Sequence, residues 1–114
     1  MTDNEVLYLR AHQAGIDAAN ACTPRAMTVS GGGQSWFVPE GPCGFAWITV
    51  KPANAPFARY LTSTRRAEKA YEGGVKVWVS AYNQSHDRKA AYARAFARVL
   101  VEAGVRAVAG SRLD

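Results

Sequence analysis

The sequence predicts a small α/β fold: a mixed sheet of four to five strands with two to three helices, ending in a C-terminal β-α-β unit, with α+β as the alternative arrangement. Three observations carry this expectation. Residues 75–80 alternate, with Val75, Val77 and Val79 on one side and Lys76, Trp78 and Ser80 on the other, which is the period of a half-buried strand. Residues 86–103 follow the helical period, with Ser85 placed as N-cap, Asp87 in the first turn and Gly104 just past the end. Residues 105–113 then supply another short strand after a tight turn. A chain of 114 residues is the usual length of one domain, so 1–114 is read as a single unit.

The remaining elements follow in chain order. Residues 4–22 are rich in helix formers, with Asp3 or Asn4 available as cap and Thr23-Pro24 as a stop. The alanines there permit close approach of a neighbour, while Gly15 weakens the middle. Residues 26–29 and 36–38 read as two strands joined by a hairpin at Gly31-Gly32-Gly33. A phosphate cradle is the competing reading of the three glycines, but no Lys-Ser/Thr pair follows them. Pro39-Glu40-Gly41-Pro42 makes a second turn. Residues 43–50 then alternate, with Phe45, Trp47 and Thr49 facing one way and Ala46, Ile48 and Val50 the other. After Pro52 and Pro56 a weaker helix starts at Phe57 and is expected to run to Tyr71, where Gly73-Gly74 stops it. On the last helix, Tyr92, Ala95, Phe96, Val99 and Ala103 form the expected buried stripe, and Asp87, Arg94 and Arg98 lie opposite.

Composition narrows the function classes. Fourteen Lys and Arg against nine Asp and Glu leave a net charge of +5, and ten of the cations are arginines, which favours anionic partners if the cations share a surface. No stretch reaches the roughly 18 apolar residues of a spanning helix, and the first residues are acidic where a secretory signal is basic. The expectation is therefore a protein that stays in the cytosol of whatever cell makes it, with no membrane partner. Cys22 and Cys43 are too few for a disulfide framework and badly spaced for a metal clip, so they are read as reduced thiols. No His, Asp or Glu cluster has metal-ligand spacing, and neither metal nor cofactor is expected.

Gly41 to Trp47, Gly73 to Ser80 with Asn83 to Ser85, and Arg88 to Ala93 continuing to Ala109–Asp114 together resemble a family of small proteins encoded by tailed bacteriophages and prophages. Tyr8 to Pro24, with His12, Gly15 and Asn20, is similar too, and the glycine hairpin matches least. The resemblance covers most of the chain. It implies phage origin and action inside an infected bacterium, and it brings no assigned reaction, ligand or functional residue.

Two surfaces are candidate sites. A β-α-β crossover gathers Ser80, Tyr82, Asn83, Gln84, Ser85 and His86 near Ser111 and Arg112, where helix N–H groups and a guanidinium can share a phosphate or carboxylate. The competing reading is that Ser85 only caps the helix and Arg112 pairs with Asp114. The second surface is a sheet face showing Phe45, Trp47 and Trp78 with Lys51 and Lys76, the mixture used for base stacking. The opposing expectation is that the N-terminal helix covers this face and makes its aromatics core, since large aromatics are more often buried than displayed. Arg65-Arg66 with Lys69, and Arg94 with Arg98, are basic runs read as solvated faces.

Three functions remain open at this point. The first is an accessory module binding an anionic ligand, either nucleic acid or a nucleotide signal. The second is an inhibitor that binds a host protein or an anti-phage defence factor, with homo-oligomerisation compatible with either. The third is a small hydrolase or transferase with Cys43 as nucleophile and His12 or His86 as base, although nothing in the sequence brings these side chains together.

Overall fold

The computed structural model describes residues 2–82 and 85–114. Helix α1 (Asp3–Ala21) is capped by Thr2, whose hydroxyl accepts the Glu5 N–H. Strands β1 (Met27–Gly31) and β2 (Gln34–Val38) form a two-stranded hairpin turned by Gly32 and Gly33, both at positive φ, as its tight turn requires. Strand β3 (Gly44–Lys51), helix α2 (Pro56–Ser63), strands β4 (Glu68–Lys69) and β5 (Val75–Trp78), helix α3 (His86–Glu102) and strand β6 (Arg106–Leu113) complete the order.

The α/β fold holds, with three helices and a four-stranded sheet beside the separate hairpin. Sheet order is β4-β5-β3-β6, and every ladder is antiparallel, so the sheet is antiparallel where a mixed one was expected. Strands β5 and β6 run in the same direction, as their crossover helix requires, but β3 lies between them. Two apolar faces explain the central place of β3: Ala46, Ile48 and Val50 are buried on one, and Phe45 and Trp47 are half-buried on the other.

Helix α2 stops at Ser63, eight residues short of the expected Tyr71. The Ser63 and Thr64 hydroxyls bond back to the Tyr60 carbonyl, Arg65 takes φ 61°, and the Arg66 N–H reaches the Leu61 carbonyl. This is the 6→1 bond that closes a helix end, with arginine in the left-handed position that glycine usually fills. Local side-chain hydrogen bonding outweighed the helix formers further on, and Glu68-Lys69 became an edge strand instead.

Helices α1 and α3 lie on the Ala46–Ile48–Val50 side of the sheet. Their close approach depends on Gly15, where an added Cβ would come 2.5–2.9 Å from the Tyr92 ring. Ala11 and Ala19 are buried along the same seam, and Tyr8 sets its ring edge-on to Phe96. Helix α3 is sandwiched, so it buries two stripes. Tyr92 and Phe96 are buried, as expected, and the partner they meet is α1, while Ala93, Ala97 and Leu100 are buried too, in line with Lys89, whose Nζ bonds the Gly44 carbonyl of β3. Ala103, expected in the stripe, is exposed, whereas Arg94 and Arg98 are solvated as expected. Phe96, Ile48, Leu61, Leu100, Val50 and Val75 form the fully buried centre.

The hairpin stands off this body and is fastened at its base. The Arg25 guanidinium pairs with Asp87 at 2.8 Å, and Arg88 bridges Glu40 at 2.7 Å while donating to the Ala19 and Cys22 carbonyls at the end of α1. No helix of the described residues is long and apolar enough to cross a membrane.

Candidate functional site

Both long helices pack on one side and α2 adds Phe57, Ala58 and Leu61 to the same core, so among the described residues the other side of the sheet carries no helix. The register fixes what it displays. Phe45, Trp47, Thr49 and Lys51 of β3 face the same way as Trp78 and Lys76 of β5 and as Arg112, Gly110, Val108 and Arg106 of β6. The expectation that α1 covers this face is overturned: its alanine seam finds a better-matched partner in α3 than in a face of indoles.

The two indoles on this face are in contact. Trp47 and Trp78 sit directly opposite one another, with ring centroids 5.5 Å apart and tilted by 57°. Lys76 Nζ lies 5.1 and 5.3 Å from those two centroids, and the Arg112 guanidinium is 5.2 Å from the Phe45 ring. Gly110, opposite Trp47, lets the indole lie across the β6 backbone, because a Cβ there would be 2.5 Å from it. Trp78 remains 42% exposed. Its indole N–H donates to Glu68 at 3.0 Å, and Glu72 pairs with Lys76, which holds the Glu72 carboxyl below its ordinary range. Lys51, Lys76, Arg106 and Arg112 outnumber these two carboxylates, so the face is net positive.

The start of α3 is arranged differently. Ser85 accepts the Arg88 N–H and donates to the Glu40 carbonyl, and the His86 N–H bonds the Pro42 carbonyl. Asp87 stands in the first turn as a built-in anion. Its hydrogen bonds from Arg25, opposed by burial, hold its carboxyl far below the usual carboxylate range. These donors already have internal partners, so the reading in which Ser85 caps the helix describes this end.

The residues expected to gather there divide between three places. Ser85 and His86 stay at the helix start, and the backbone of Arg112 comes near His86 across Gly44. The Arg112 side chain goes to the helix-free face, whereas Ser111, opposite Ala46, points to the other. Ser80 and Tyr82 line a cavity of about 700 Å³ along the outer edge of β5. Asn83 and Gln84 lie outside the described residues.

Cys43 is exposed and opposes Ser85 in an isolated bridge, and Cys22 is a second free thiol. His12 is committed to Tyr92 at 2.5 Å and His86 to Asp87 at 3.4 Å, so the two imidazoles serve other partners than a cysteine. Among the described residues no group of three or more His, Cys, Asp or Glu side chains could hold a metal ion.

Sequence reasoning missed Arg106, Val108 and Gly110 on the helix-free face. A glycine inside a strand was the available signal, since it marks close approach of another group. It missed the cavity too, whose walls come from α1, the turn after α2, β5 and α3, and no local pattern joins those segments. No family model, curated protein or solved structure matches the chain.

Proposed function

We propose that the protein binds single-stranded nucleic acid across the helix-free face of its sheet, as a phage-encoded accessory protein acting in the cytosol of an infected bacterium. The phage setting is supported by the sequence resemblance alone. The observation that carries the binding reading is the row of Phe45, Trp47 and Trp78 on an uncovered sheet, bordered by Lys51, Lys76, Arg106 and Arg112. Aromatic rings offer stacking surfaces that every base can use, and the surrounding cations match the phosphates. A duplex keeps its bases stacked inside, so the face discriminates in favour of single strands.

The test is anisotropy of a labelled oligonucleotide, single-stranded against duplex. Trp78→Ala should weaken single-strand binding by about 1–3 kcal/mol, the usual worth of one stacked base. Arg106→Ala and Arg112→Ala should each weaken it for all sequences alike. Equal affinity for duplex, or wild-type affinity in all three variants, refutes the reading.

A second reading has its own observation. The hairpin displays Trp36 and Phe37, 52% and 69% exposed, with Val29 beside them. Exposed aromatics on a projecting arm suit an inhibitor that occupies a host or defence protein.

A further inference from the structure

The cavity at the outer edge of β5 shares Glu68, Lys76 and Trp78 with the border of the helix-free face, and adds residues that the face lacks. Tyr8, His12 and Tyr92 line its helical wall, Arg65 and Arg66 come from the turn after α2, and Tyr82 closes one end. We propose that this cavity is a mononucleotide site, holding a base among its tyrosines and a phosphate on Arg65 and Arg66, neither of which belongs to the sheet face.

Four observations support it. The volume of about 700 Å³ is that of a small-ligand pocket, and aromatic walls with a few convergent polar groups are what such pockets use. Strand β4 pairs only with Val75 and Lys76, so among the described residues no strand pairs with the β5 edge beyond it. Because the Val79 N–H turns inward to the Ala46 carbonyl, strand alternation turns the Trp78 and Ser80 main-chain groups outward, where they can read a base edge. The two described non-glycine residues with positive φ, Arg65 at 61° and Tyr82 at 69°, both line this cavity, and such backbone concentrates at ligand sites. Finally, the arginines are set for an anion. Arg65 is exposed, and Arg66 is held over the Tyr8 ring at 4.2 Å and braced by the Tyr60 hydroxyl, which leaves further N–H groups of its fork to donate.

The His12–Tyr92 pair is the buried polar feature of the wall. Burial raises the Tyr92 phenol above its ordinary value, so the phenol keeps its proton beside His12 Nδ1.

Calorimetry with AMP, GMP, CMP and UMP, each beside its nucleoside and inorganic phosphate, tests the proposal. At least one mononucleotide should bind, and its nucleoside should bind about tenfold or more weakly, since charge-assisted contacts to the phosphate are lost. Arg65→Gly should cause a similar loss without lowering the melting temperature, because glycine accepts the positive φ at that position. Arg112→Ala, on the sheet face, should leave mononucleotide affinity unchanged.

Oligonucleotides with a 5′-phosphate or a 5′-hydroxyl separate two sources of the same chemistry. If only the phosphorylated strand competes with the mononucleotide, and Arg65→Gly removes the competition, the site takes strand ends. If neither competes, it takes the free nucleotide. The proposal is overturned if none of the four mononucleotides binds, if Arg65→Gly binds as wild type, or if an extended peptide occupies the β5 edge in their place. Oligonucleotide binding that Arg112→Ala weakens, with no mononucleotide bound, sinks the cavity and spares the face. Mononucleotide binding with no oligonucleotide bound does the reverse.

Discussion

Gly15 shows how a single residue sets the spacing of two helices. In an exposed helix, replacing glycine by alanine stabilises by about 1 kcal/mol. Here the new methyl would meet the body of the Tyr92 ring, which its hydrogen bond to His12 restrains. Overpacking a close seam costs about 1–3 kcal/mol, so Gly15→Ala should lower stability in denaturant melts, and a rise would show that the seam yields. Phe96 gives the complementary case: it is fully buried, and Phe96→Ala should cost about 3–5 kcal/mol while exposed Arg94→Ala changes stability by less than about 0.5 kcal/mol. Asp87 predicts the acid limb. Its folded-state affinity for a proton is depressed, so its contribution is present above the unfolded carboxylate value of about 3.9 and is lost as pH falls below it. Thermal melts between neutral pH and pH 2 should show a shallower acid loss for Asp87→Asn than for wild type, and superimposable profiles would remove Asp87 from the account.

At the scale of elements, the hairpin is the part least supported by its neighbours. A two-stranded ribbon is marginal alone, and Val29, Trp36 and Phe37 stay 40%, 52% and 69% exposed. Its fastening is electrostatic, through Arg25 to Asp87 and Arg88 to Glu40. Hydrogen exchange should therefore find the β1–β2 amides far less protected than those of β3 and α3, and equal protection would mean the arm is part of the core. Replacing Trp36 and Phe37 by Thr should leave the global melt unchanged, so any partner binding lost with them is attributable to the arm. Other elements were legible from local signals. The cap at Ser85, the glycine turn at 32–33 and the alternation in β3 and β5 each act within a few residues, and each element formed as expected. Helix α2 was misread because Ser63 and Thr64 carry helix-compatible side chains that bond to preceding carbonyls only once the chain turns at Arg65.

For the molecule as a whole, the decisive fact is that both long helices chose one side of the sheet. Four cations then share the other side with three aromatics, and the binding reading makes a quantitative claim about salt. If Lys51, Arg106 and Arg112 each neutralise one phosphate of a single strand while Lys76 stays paired with Glu72, log K should fall against log salt with a slope of about −2.1, at about −0.7 per contact. Arg106→Ala should reduce that slope by roughly one contact, and a slope near zero would exclude phosphate contacts from this face. The amino-acid sequence by itself determined the α/β class, most element boundaries, the burial of Tyr92 and Phe96, and the placement of Phe45, Trp47, Thr49 and Lys51 on one side of their strand, because periodicity and capping operate over short separations. Only the tertiary structure decided that β3 separates β5 from β6, that Arg106 and Arg112 join the aromatic face, and that His12, Arg65, Tyr82 and Tyr92 wall one cavity. Those outcomes depend on which surfaces pack best across long separations: an alanine and glycine seam that admits the Tyr92 ring drew α1 onto α3, and the sheet face it left uncovered is the one proposed to bind.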